Sequence, residues 1–242
     1  RSGGNQGIGF AIPANLARDV MESLIADGKV TRGYLGVMIQ DLNPTLAKKF
    51  GVEGKAGALV GDVSAKSPAE KAGLESGDVI TEFGGKAVTD SRHLKLQVAR
   101  VKPGENVDVK LLRDGKEKSL TVSVGELPGS EKVAKNDTDA KDDNGTLNGV
   151  AVGELDSRSR REYRIPADVK GALVTDVDQN SAAADAGLRT GDVIVEINRE
   201  PVHSADDAVK LTEHAQDKTT LVKVWSRGGQ RFVVVDENNK VG

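Results

Sequence analysis

The sequence predicts an α+β protein built from two small domains in tandem. Three observations predict it: a long internal repeat, paired strand patterns at matching places in each copy, and apolar residues that are nearly all aliphatic. Gly73-Leu74-Glu75-Ser76-Gly77-Asp78-Val79-Ile80 returns as Gly187-Leu188-Arg189-Thr190-Gly191-Asp192-Val193-Ile194, 114 residues later. Residues 57–82 laid over 171–196 agree at 16 of 26 positions. Solenoid units repeat every ~20–50 residues, so a period of this length marks whole domains, each with its own core. With 37% hydrophobic but only 3% aromatic residues in 242, those cores must be built from Val, Leu, Ile and Ala.

The leading segment, residues 5–13, alternates as a strand does and ends at Pro13. From there Leu16, Val20, Leu24 and Ile25 recur at helical spacing up to Gly28, which reads as a connector helix. Tyr34 to Gln40 is an extended apolar run. Asn43-Pro44 starts a short helix through Phe50, proline being favoured in a first helical turn. In each repeat a strand such as Ala58–Val63 leads to Ser-Pro-Ala or Ser-Ala-Ala and a short helix stopped by Gly73 or Gly187. Leu74 or Leu188 anchors the turn and Val79-Ile80 or Val193-Ile194 opens the next strand. Gly84-Gly85 makes a hairpin turn. Asp90 or Ser91 caps a helix with Leu94 and Val98 on one face, ended by Pro103-Gly104. Val107–Arg113 and Lys116–Val124 alternate across Arg113-Asp114-Gly115, and Leu221–Arg227 with Gln230–Val235 repeats the pattern. Glu126 to Thr146, rich in Lys, Asp, Asn and Gly, reads as a flexible linker. The domain expectation is therefore 1–30 leading strand and helix, 31–126 first domain, 127–146 linker and 147–242 second domain.

Several chemistries are excluded. The 34 basic residues are scattered among 37 acidic ones for a net charge of −3, which leaves no basic footprint for nucleic acid. Without cysteine there is no disulfide, thiolate metal site or thiol nucleophile. No apolar run approaches the ~18 residues that span a bilayer, and no charged-then-apolar leader opens the chain. Because Arg1 stands inside a strand-like stretch without an initiator Met, any targeting segment is expected upstream.

Strand, short helix, Gly-Leu-x-x-Gly-Asp-Val-Ile and strand together resemble the PDZ domain, a small partly open β-barrel or sandwich with two helices. Arg32-Gly33-Tyr34-Leu35-Gly36-Val37 resembles the carboxylate-binding loop of PDZ domains in the HtrA/Deg (DegP/DegQ-like) serine proteases. Gly7-Ile8-Gly9-Phe10-Ala11-Ile12-Pro13-Ala14-Asn15 looks like the closing strand of that family's trypsin-like protease domain. The resemblance implies the C-terminal part of a periplasmic endopeptidase that degrades misfolded envelope proteins and works as a trimer or larger cage. The implied partners are C-termini of unfolded or misfolded proteins, the protease domain of the same chain and further copies of the protein.

A trypsin-like enzyme needs a serine, a histidine base and an aspartate orienting it, and this chain offers no such set. Arg1-Ser2-Gly3-Gly4 imitates the family's nucleophile motif only superficially, too close to the following strand and with no histidine nearby. The site expectation is accordingly catalytic none, metal none, cofactor none. His93, His203 and His214 lack the paired spacing of a metal site and are expected on solvated helix faces. What remains is binding by backbone amides, a glycine-centred turn gathering N–H groups around an anion. In the first domain the implied carboxylate donors are Leu35, Gly36 and Val37. The implied groove comprises Tyr34, Met38, Ile39, Lys95 and Val98, with Leu94 also readable as plain core. In the second domain the corresponding loop is Asn148, Gly149, Val150 and Val152. Asn148 replaces Leu35 there, and Ser157–Arg164 is rich in arginine, so ligand preference is expected to differ. The competing expectation is a scaffold whose domains bind each other or the protease domain, with little affinity for free peptide.

Overall fold

The computed structural model describes residues 31–127, 146–147, 149–213, 219–226 and 228–236, with positions 14, 17, 18, 21, 24 and 25. The leading strand expected over residues 5–13, Ser2, Asn148, His214 and most of the linker lie outside the described residues. The six early positions are helical, and Met21, Leu24 and Ile25 are exposed.

The first domain runs β1 (Gly33–Tyr34), β2 (Val37–Asp41), α1 (Pro44–Lys49), β3 (Ala58–Val63), α2 (Pro68–Lys71), β4 (Val79–Phe83), β5 (Lys86–Ala87), α3 (Ser91–Arg100), β6 (Asn106–Arg113), β7 (Lys116–Ser123) and β8 (Gly125–Glu126). The second runs β9 (Thr146–Leu147), β10 (Val150–Gly153), α4 (Ser157–Glu162), β11 (Ala172–Val177), α5 (Ala182–Asp185), β12 (Val193–Ile197), β13 (Glu200–Pro201), α6 (Ala205–Glu213), β14 (Thr219–Ser226) and β15 (Gly229–Asp236). The main sheets have the orders β2-β3-β4-β6-β7 and β15-β14-β12-β11-β10-β9. The short strands β5 and β13 pair with β4 and β12, and β1 pairs with β8.

The repeated motifs have structural jobs. In Ala-Leu-Val, Ala58 and Val60 enter the first core while Leu59 faces the opposite side, and Ala172, Val174 and Leu173 divide the same way. Ser67 caps α2 by accepting the Glu70 N–H at 3.2 Å, and Ser181 caps α5 through Ala184 at 3.2 Å. Asp78, almost wholly buried, accepts the Glu75 N–H at 2.9 Å and holds Arg113 from both oxygens, each at 2.7 Å. Asp192 accepts from Arg189 and from Arg231, both at 3.2 Å. The motif's aspartate thus closes its own turn and ties it to another strand, β6 in the first domain and β15 in the second, so that a buried charge is satisfied.

The two domains dock. Leu46, Phe50, Leu59, Val79 and Leu112 form one apolar layer with Leu221 and Phe232. The Phe50 and Phe232 rings meet edge to face at 5.0 Å. The Gln40 side chain behaves as a strand partner to β15, donating to the Phe232 carbonyl at 2.9 Å and accepting its N–H at 2.8 Å. Lys49 donates to the Thr219 carbonyl at 2.8 Å, and Arg199 pairs with Asp114 at 2.6 Å.

Candidate functional site

The loop between β1 and β2 is fixed from inside. Leu35 is 3% exposed and belongs to the core. Its carbonyl accepts the Ala69 N–H at 2.9 Å, and the Gly36 carbonyl accepts the Ser64 N–H at 2.8 Å. Across a planar trans peptide the N–H lies opposite the preceding C=O. The N–H groups of Gly36 and Val37 are therefore turned away from residues 64–69. Gly36 has φ +79°, and a Cβ placed there meets the Ser67 Cβ at 2.2 Å, so the close approach of loop and helix cap requires glycine. The Tyr34 hydroxyl lies 3.2 Å from the same point.

Among the described residues β2 is the edge strand of its sheet, hydrogen-bonded on one side to β3 only. Across from it stands α3. At about 100° per residue, Ser91, Lys95 and Val98 share one flank of that helix, while His93 and Gln97 share the other. Ser91 marks the flank toward β2, because its N–H and hydroxyl both donate to Asp41 Oδ1, at 2.9 and 2.5 Å. The groove between strand and helix is thus floored by Val37, Ile39, Leu94 and Val98, all packed on the first core, and closed at its far end by the Asp41–Ser91 bridge. Lys95 is exposed on the rim. Asp90, at the helix N-cap, is held below the usual carboxylate range by the His93 N–H and the Thr89 hydroxyl.

The structure does not bring every expected residue together. Met38 lies on the other face of β2, 43% exposed and against Gly229 of the second domain, because strand neighbours alternate in direction. His93 sits on the helix flank away from β2, 3.1 Å from Thr89 Oγ1 and 3.1 Å from Gln97 Nε2. Among the described residues no three His, Asp or Glu side chains converge as a metal site.

In the second domain the Gly149 carbonyl accepts the Asp178 N–H at 2.7 Å, and Gly149 has φ +90°. The scaffolding of the loop is therefore repeated, while Val150 and Val152 are fully buried core residues rather than groove surface. Glu154 Oε1 accepts the Ala205 N–H at 3.0 Å, the same strand-to-helix bridge as Asp41 and Ser91. Sequence reasoning missed this pair of bridges, although an acidic residue stands four positions after Val37 and after Val150. It also missed β9, which lies along the free edge of β10 and includes Thr146, expected to be linker.

Comparison with known proteins agrees with this geometry. A PDZ domain model matches residues 33–124 and a second PDZ domain model matches residues 173–226. The chain is 40% identical over 238 residues to a probable periplasmic serine endoprotease, DegP-like, of Rhizobium meliloti, covering 97% of this chain and 46% of the relative. A protein of the same description from Ectopseudomonas mendocina is 39% identical, with coverages of 96% and 49%. The chain thus spans about half the length of the curated relatives it matches. Among solved structures, a variant of the HtrA-type protease AlgW with a decapeptide superposes with TM-score 0.50 at 42% identity, over 55% of this chain and 41% of that one. With two PDZ folds in series and these relatives, the chain belongs to the PDZ family and is a PDZ-bearing region of the HtrA/DegP-like kind.

Proposed function

We propose that the first domain captures the C-terminal end of an extended polypeptide by adding it as a strand to the free edge of β2. Strand addition is the mode PDZ domains use as a class, main-chain bonds giving affinity and side-chain pockets giving selectivity. The terminal carboxylate is received by the amides of Leu35, Gly36 and Val37, and the last side chain enters the apolar groove over Val37, Ile39, Leu94 and Val98, with Lys95 at its rim. The observation that carries this reading is the unpaired edge of β2 beside the inward-turned carbonyls of Leu35 and Gly36. The related AlgW structure was solved with a decapeptide, which supports peptide binding by proteins of this kind. In the whole protein, this region regulates a periplasmic serine endopeptidase of protein quality control, presenting C-termini of misfolded proteins within a trimer or larger cage, and does no cutting itself. Titration of a peptide ending in Val, Leu or Phe against its C-terminally amidated form tests the capture. Tight binding of the free acid and weak binding of the amide are expected, and equal affinities would refute it.

The apolar docking layer around Phe50 and Phe232 favours a second role, a scaffold in which domain-to-domain contact organises assembly. Sedimentation separates the two readings: oligomers that grow with concentration in a chain with no peptide affinity support the scaffold alone.

A further inference from the structure

The free edge that β2 offers in the first domain is not offered by its counterpart. In the first domain β1 turns away from β2 and pairs with β8, Gly33 opposite Glu126 and Tyr34 opposite Gly125. In the second domain the residues at the same place in the repeat form β9, which folds back onto β10 with Leu147 opposite Val150 and Thr146 opposite Ala151. β9 is the outermost strand of its sheet and packs against α6, so it lies between β10 and that helix, where the first domain has its groove.

The sequence gives a reason for the difference. Leu35 pins the first loop by burying its side chain, whereas the second copy has Asn148 before Gly149. Asn-Gly is the preferred dipeptide of two-residue hairpins. In such a turn the residue before it offers its carbonyl to the N–H of the residue after it. Leu147 stands opposite Val150, the counterpart of Val37, whose N–H receives the carboxylate in the reading given for the first domain.

The helix facing β10 is adapted to the same occupant. Its strand-facing positions are Ala205 and Val209, where the first domain has Ser91 and exposed Lys95. Ala205 is buried and Val209 is half-buried against the core. An apolar flank there suits a strand of the chain itself more than a water-filled groove.

We infer that the second domain carries an edge-strand site already filled in cis by residues 146–147, which admits an extended C-terminal peptide only when that strand is displaced. The mode of binding rests on the reading given for the first domain, but occupancy is measured without any ligand. Amide hydrogen exchange at Val150 in the full chain is compared with that in Leu147→Pro, which removes the N–H that β9 offers to β10. The emission of Trp225, the single tryptophan and buried in the second domain, reports that this domain remains folded. If Leu147→Pro fails that control, Val209→Lys replaces it, placing the first domain's residue on the helix flank.

Leu147→Pro keeps the Leu147 carbonyl, so the expected loss of Val150 protection, by about tenfold or more, reports β9 detaching from β10 once its own N–H bond is gone. A peptide ending in Val should then shift the Val150 and Val152 resonances in the variant at concentrations that leave them unmoved in the unaltered chain. Fast exchange at Val150 in the unaltered chain overturns the occupancy. Equal peptide response with and without the substitution, including none in either, overturns the displacement. A silent first groove alongside protected Val150 defeats the first-domain reading and leaves the occupancy standing.

Discussion

Gly36→Ala tests the loop most directly. At φ +79° a side chain pays the left-handed strain, about 1–2 kcal/mol. The new Cβ also starts 2.2 Å from the Ser67 Cβ, where carbon pairs rest at about 3.5–4.0 Å. Something must give by more than an ångström, and what gives is the cap of α2. Ser67 holds the Glu70 N–H at 3.2 Å, and loss of such a cap costs about 1 kcal/mol. The expected destabilisation is therefore about 2–3 kcal/mol. Gly73→Ala supplies the comparison: φ is +83°, but no atom lies within 4 Å of its Cβ position, so strain acts alone. That strain is partly offset by the stiffer unfolded chain. Urea denaturation followed by circular dichroism should separate the two variants by about 1–2 kcal/mol. Fluorescence anisotropy with a labelled C-terminal peptide should show a loss of at least about tenfold in affinity for Gly36→Ala only. If both variants match in stability and Gly36→Ala binds as the unaltered chain does, neither the close approach nor the amide trap is as described.

Three further outcomes are expected. Asp41→Ala removes both bonds to Ser91 and should cost about 1 kcal/mol, while raising the peptide off-rate several-fold in stopped-flow dissociation; an unchanged off-rate means the bridge does not position α3. Phe232→Ala empties the docking layer at a cost of about 3–5 kcal/mol, so calorimetry should resolve two unfolding transitions and scattering a larger radius of gyration; one unshifted transition rules out the docking. The depressed carboxyl of Asp90 contributes stability that is complete above the unfolded value of about 3.9 and is lost as pH falls through its lower folded value. Protection of α3 amides should accordingly fade on acidification in the unaltered chain. Asp90→Asn, which keeps an oxygen acceptor without the titrating group, should show a smaller loss over the same range, and identical profiles would assign the acid response to other carboxylates.

Much of each domain was legible because its determinants are local. Asp114-Gly115 specifies the β6–β7 hairpin, and both residues take positive φ, 50° and 73°. Asn43 with Pro44 specifies α1, the Asn43 side chain accepting the Leu46 N–H at 2.8 Å. Met38 was misplaced because spacing along a strand gives alternation but not which face meets a second domain. His93 was expected on a solvated helix face, and the Ser91–Asp41 contact, which orients the helix, is what sets it on the flank away from β2.

The sequence by itself determined that there are two PDZ-like units, where their turns and caps fall, and that Gly36 and Gly149 stand at matching loops, because repeat identity, hydrophobic period and turn chemistry act over a few residues. Only the tertiary structure decided that Gln40 pairs with the backbone at Phe232, 192 residues away, and that carboxylates bridge strand to helix in both units. It also decided that β1 leaves one sheet edge open while β9 closes the other. A strand has two possible partners for the same main-chain groups, and which one it takes depends on packing by residues far off in the chain.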